Sequence, residues 1–179
     1  MTAKIYLLAI LGLLLAAPAA GASDGTPKYG TVVMRIKIPY IGVNIPVVEG
    51  NSPNNEDGPY PTHYRSTNWP NEGQTVAISA HHLTHALPGA NGGPFLNVDR
   101  LKKGSAIYLT MRRPFGIGTF RYRVVWQKEV FCGVNSWNCL AALRYFINMQ
   151  QSKLILTTCI GNGSWRRIVW ALPWPLKRQ

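Results

Sequence analysis

From Met34 to Ile38 apolar residues stand at every second position: Met34, Ile36 and Ile38 alternate with Arg35 and Lys37, and Pro39 and Gly42 then break the run. A period of two is the pattern of a strand with one face on a core and the other in water. The same pattern recurs. Val43 to Val48 reads as a second short strand, Thr75 to Ala80 as an apolar strand running into His81-His82-Leu83-Thr84-His85, and Ala106 to Met111 as a fourth. In Thr119 to Trp126, Phe120, Tyr122 and Val124 alternate with Arg121 and Arg123. Lys153 to Thr158 is a continuous buried strand ending at Cys159, and Arg166 to Ala171 is the last. Asn51 to Gly73, rich in Asn, Pro, Gly and Ser, is expected to be mainly loop. One helix is expected over Leu140 to Ile147, with Ser136 or Asn138 as its cap. Seventeen glycines and 13 prolines punctuate the chain, and no repeat is visible. The expectation is a mainly β fold: a closed or nearly closed β-barrel of about eight strands with one or more short helices.

The N-terminus has its own character. Lys4 precedes an apolar run from Ile5 to Ala17, and Pro18-Ala19-Ala20-Gly21-Ala22 follows with small residues. This is the pattern of a secretory signal peptide, with an uncleaved membrane anchor as the alternative. The expected organisation is a leader over residues 1–22, a linker over 23–31 and one catalytic domain over 32–175, outside the cytoplasm.

Lys and Arg number 19 against seven Asp and Glu, a formal charge of +12. Such a balance suits nucleic acid, an anionic membrane surface or acidic polymers outside the cell. The cations are scattered from Lys28 to Arg178, with no dense basic run and no nucleic-acid motif, so no nucleic-acid partner is expected. Seven dispersed carboxylates do not suit calcium. His81-His82-x-x-His85 has the spacing of a zinc pair only on a helix, and its neighbours do not predict one; no metal or other cofactor is expected.

The chain has three cysteines, Cys132, Cys139 and Cys159. In an oxidising compartment an odd count suggests one pair and one remaining thiol. Cys132 and Cys139 are close enough in sequence to form a disulfide, the alternative being two separate buried thiols. Cys159 stands at a strand end, where it can project rigidly into a cleft. A nucleophilic thiol needs a base or a cation nearby. His81 or His82, and Arg166 or Arg167, are the candidates. On residue types alone, Cys159 as a small core residue remains open.

Leu156-Thr157-Thr158-Cys159, followed by Arg166-Arg167-Ile168-Val169-Trp170-Ala171, resembles the signature of sortases, in which a Leu-x-Thr-Cys strand end precedes an Arg that heads the next strand. Ile36 to Gly50 is similar to the first strands of a sortase barrel, Gly58 to Tyr64 and Pro70 to Gly73 to the approach to the family's His, and Val76 to His81 to the strand that carries it. The resemblance covers residues 32–171. It implies Cys159 as nucleophile, His81 as catalytic His and Arg166 as catalytic Arg, with Arg167 as the alternative. Thr158 would line the substrate groove. Apart from the resemblance, His63 reads as a loop or groove-lining histidine, with substrate contact as the alternative. The implied activity is a cysteine transpeptidase, of the class D or E kind. It would cleave an LPxTG-like sorting signal and join it to an amine from a peptidoglycan precursor or a protein. Ala80 replaces the Gly usual before the His, and the Cys-to-Arg loop lacks the family's Pro. The competing reading is a non-catalytic secreted β-barrel that binds anionic wall polymers, with Cys159 buried and inert.

Overall fold

The computed structural model describes residues 26–50, 59–82, 92–132, 152–160 and 164–174. They form eight strands: β1 (Val32–Ile38), β2 (Val43–Gly50), β3 (Thr62–Tyr64), β4 (Thr75–Ser79), β5 (Ala106–Met111), β6 (Gly118–Phe131), β7 (Lys153–Ile160) and β8 (Trp165–Pro173). The strands close into a barrel in the order β1-β2-β3-β4-β7-β8-β6-β5. Among the described residues the helices are three short 3₁₀ turns, at Pro39–Ile41, Pro70–Glu72 and Val98–Arg100. The helix expected over 140–147 lies outside the described residues.

The alternation in β1 is realised directly: Met34, Ile36 and Ile38 are buried while Arg35 and Lys37 are exposed. Pro39–Ile41 turns the chain, and Gly42 closes the turn at φ 71°, a left-handed conformation that favours glycine. β2 then returns antiparallel to β1, pairing Ile45 with Ile36. The interior is filled from all sides by Ile36, Val47, Ile78, Leu109, Tyr122, Val124, Leu156 and Val169. A second cluster of Tyr64, Ala77, Ile155, Ile168 and Trp170 covers the outer face of β3, β4, β7 and β8. β7 is therefore buried on both faces, which is why its sequence is a continuous apolar run rather than an alternation.

Two strands depart from the expectation. β6 runs on to Phe131, because the pairing with β8 shifts between Val124 and Trp126 and the bulge ends the simple alternation there without ending the strand. β3 falls inside the stretch expected to be mainly loop. It is three residues long and pairs parallel with β2, Glu49 opposite His63, so its only support is long-range.

Candidate active site at the ends of β4, β7 and β8

β7 lies between β4, with which it is parallel, and β8, with which it is antiparallel. Ser79 pairs with Thr157, and the Ala80 amide continues the ladder by donating to the Thr157 carbonyl at 3.1 Å. His81 and Cys159 each stand two residues beyond that matched pair, so they emerge at one level from neighbouring strands. On the other side Cys159 is the direct partner of Arg166. Directly opposed side chains share a face and stand about 4.5–5.5 Å apart at Cβ. The register thus gathers His81, Cys159 and Arg166.

Strand alternation separates the two arginines. Ile155, Ile168 and Trp170 belong to the outer cluster, whereas Leu154, Leu156, Val169 and Ala171 belong to the interior. Cys159 and Arg166 share the outer register, and Thr158 and Arg167 the inner one. Arg167 is engaged at the rim, where it pairs with Glu129 and donates to Gln127 Oε1 at 3.3 Å. Arg166 is buried, at 6% exposure. Cys159 is partly exposed and is not in a disulfide. Cys132 is disulfide-bonded, and Cys139, the other half of the expected pair, lies outside the described residues.

His81 is held by its backbone. Its carbonyl accepts the Phe95 amide at 3.1 Å, and the carbonyl of His82 accepts the Gly93 amide at 2.8 Å. A Cβ added at Gly93 would collide with the His81 carbonyl and side chain, so only glycine allows the 92–95 segment to clamp His81 this closely. His82 is partly exposed, and its Nδ1 is buried without a partner among the described residues. His85 lies outside the described residues. Thr158 is wholly buried, and its hydroxyl has no partner among the described residues.

His63 is not brought to this cluster. It sits in β3 at 1% exposure, opposite Glu49 of β2. Nδ1 lies 2.9 Å from Glu49 Oε2, and Nε2 faces two oxygens at 3.2 Å, the Asn68 carbonyl and Thr67 Oγ1. The Thr67 hydroxyl already donates to the Tyr64 carbonyl at 2.7 Å and accepts from the Ala77 amide. With both oxygens that face it placed to accept, Nε2 is on the donor side of this network, and Nδ1 faces the Glu49 carboxyl. Trp69 stacks on the ring, with centroids 4.6 Å apart. Arg65 Nε approaches Glu49 Oε1 at 3.9 Å, and Arg65 Nη2 donates to the Pro27 carbonyl at 2.6 Å. Sequence reasoning passed over Glu49, although an inward-facing carboxylate two residues after the buried Val47 was the available signal.

Two further ionisable groups are displaced by their surroundings. Burial raises the Tyr122 phenol from 10.0 to about 12. Burial also lowers the Lys153 ammonium, which lies 4.4 Å over the Trp170 ring.

A family model described as Sortase domain matches residues 36–173. Solved structures share the fold. Sortase A from Corynebacterium diphtheriae, a lid mutant, superposes with a TM-score of 0.64 at 20% identity, over 86% of this chain and 75% of that one. The Clostridium perfringens sortase D5 transpeptidase gives 0.63 at 22% identity, covering 83% and 82%. Clostridium perfringens sortase C with the C-terminal cell wall sorting motif gives 0.62 at 23% identity, covering 83% and 74%. No curated protein matches the chain.

Proposed function

The chain belongs to the sortase family, and from that premise we propose that it is a cysteine transpeptidase with Cys159 as nucleophile, His81 as proton donor and Arg166 as cation. The observation that carries the reading is the shared register. One parallel and one antiparallel neighbour bring a histidine and an arginine to the strand end that bears Cys159. Partial exposure of Cys159 also weighs against the inert barrel, which needs that thiol buried.

The substrate is a secreted protein with a sorting signal, as the sorting-motif complex of the Clostridium perfringens sortase C suggests by analogy. The Cys159 thiolate attacks the carbonyl of the scissile peptide bond, and a tetrahedral oxyanion forms. Arg166 is the cross-strand partner of Cys159, and a cation at that position favours both the thiolate and the oxyanion. His81 gives its proton to the departing amine, and the C–N bond breaks to leave a thioester. An amine from a peptidoglycan precursor or another protein then attacks the thioester. His81 takes up the amine's proton, a new amide forms, and the thiolate is released. Thr158, buried behind the thiol, holds the strand end that faces the groove. The Cys132–Cys139 disulfide, the leader over residues 1–22 and an extracytoplasmic location complete the proposal.

The test is mass spectrometry of the full chain incubated with LPxTG-like peptides and an amine. Wild type should give a thioacyl adduct on Cys159 and a spliced product, and Cys159→Ala should give neither. An intact Cys159 that resists alkylation in the folded protein and forms no adduct would establish the inert barrel instead.

A further inference from the structure

A cavity of about 510 Å³ opens on the outer wall of β1 and β5, at the end of the barrel opposite Cys159. The registers fix the end: Met34 pairs with Met111, and Met111 with Gly118, at the far end of β6 from the Val130 that pairs with Arg166. Three arginines line the cavity, Arg35, Arg112 and Arg113, together with apolar Val32, Met34 and Phe115. No carboxylate lines it among the described residues. Arg112 and Arg113 are exposed and make no hydrogen bond or ion pair among the described residues. Arg35 engages Asn44 through Nη1 alone. The two described carboxylates at this end are occupied: Glu49 by His63 and Arg65, Glu72 by the Trp69 amide and Asn68.

Three guanidinium groups with no carboxylate partner among the described residues, set around an apolar floor, match a phosphate bound to an apolar body. Guanidinium donors suit phosphate oxygens, and the apolar lining suits glycerol or acyl carbon. Ile117, 68% exposed, extends the apolar surface beyond the loop that carries Arg112 and Arg113. The chain also enters the barrel here. Val32 opens β1, and the residues before it include the apolar run from Ile5 to Ala17. We propose that this cavity docks the phosphodiester headgroup of an anionic lipid, so that the barrel rests on a membrane surface with Cys159 at the distal end. The proposal is independent of the chemistry at Cys159.

The test is the unfolding midpoint of the full chain in nonionic detergent micelles doped with phosphatidylglycerol or with phosphatidylcholine. Phosphatidylglycerol should raise the midpoint by about 2–4 °C over phosphatidylcholine. Arg112→Gln with Arg113→Gln should abolish most of that rise. Lys102→Gln with Lys103→Gln, which removes the same charge from the turn before β5, should keep it. Hydrolysis of a soluble sorting peptide should be unchanged in both double variants. An equal rise with inorganic phosphate alone would make this a free-anion site and overturn the proposal. So would equal losses in the two double variants, which would mean general attraction to a basic protein, or no rise at all.

Discussion

Cys159 of β7 and Arg166 of β8 are direct cross-strand partners on the outer face, while Arg167, one residue on, faces the other way and pairs with Glu129. Two adjacent arginines of the same chemistry therefore have different surroundings. Arg166→Ala should lower turnover by roughly 10²- to 10³-fold, the scale of one lost oxyanion partner. Arg167→Ala should change turnover by no more than about threefold, since an exposed ion pair contributes little. Steady-state kinetics on a sorting peptide decide it. The reverse order of effects would place the catalytic cation at 167.

Gly93 packs against the His81 backbone. Gly93→Ala should displace His81, cutting turnover by about tenfold or more while alkylation of Cys159 by a small reagent persists. Loss of both together would mean that the substitution has disturbed β7 as well.

Replacing His63 leaves the buried Glu49 without its closer partner, with only Arg65 at 3.9 Å among the described residues. His63→Ala should cost about 3 kcal/mol and lower the melting temperature by roughly 6–12 °C, with turnover per folded molecule preserved. A His63→Ala protein that melts normally but turns over slowly would restore His63 to the substrate groove.

The alkaline limb of stability should depend on Tyr122. Its folded pKa is about 12 against an ordinary 10.0. The folded state keeps the proton through a window in which the unfolded state loses it. Its contribution is therefore present below pH 10 and lost as the pH rises towards 12, by about 2 kcal/mol in all. Lys153 acts in the opposite sense. Burial lowers its pKa below 10.5, so the cost of its charge is relieved as the pH rises. Tyr122→Phe should flatten the fall in chemical-denaturation midpoints between pH 10 and 12. An unchanged fall would assign it to other groups.

The barrel was legible because β1, β5 and β6 carry their burial in alternating letters, and because β7, apolar throughout, can only lie between two covers. β3 was not legible. Three residues after Pro61 have no local pattern, and their pairing with β2 and β4 comes from elsewhere in the chain. In the site, the position of Cys159 at a strand end was legible, whereas the choice between Arg166 and Arg167 depended on the register of β8 against β7, which no local pattern fixes. The burial of His63 was not legible either. A histidine in a polar stretch reads as a loop residue, and nothing nearby in sequence announces Glu49, Thr67 and Trp69 as the groups around it.

The parallel pairing of β4 with β7 also governs when the chemistry can begin. Parallel neighbours cannot be joined by a hairpin, and here β5 and β6 are completed between them. His81 is made early, the thiol late and Arg166 last. The three meet only when β8, the last strand of the chain, takes its place between β7 and β6 and completes the ring. A chain still being synthesised has the histidine without the sulfur, and a chain with an open seam has the sulfur without its neighbours. On the proposed mechanism, the thiol therefore gains both of its neighbours only when the ring is closed.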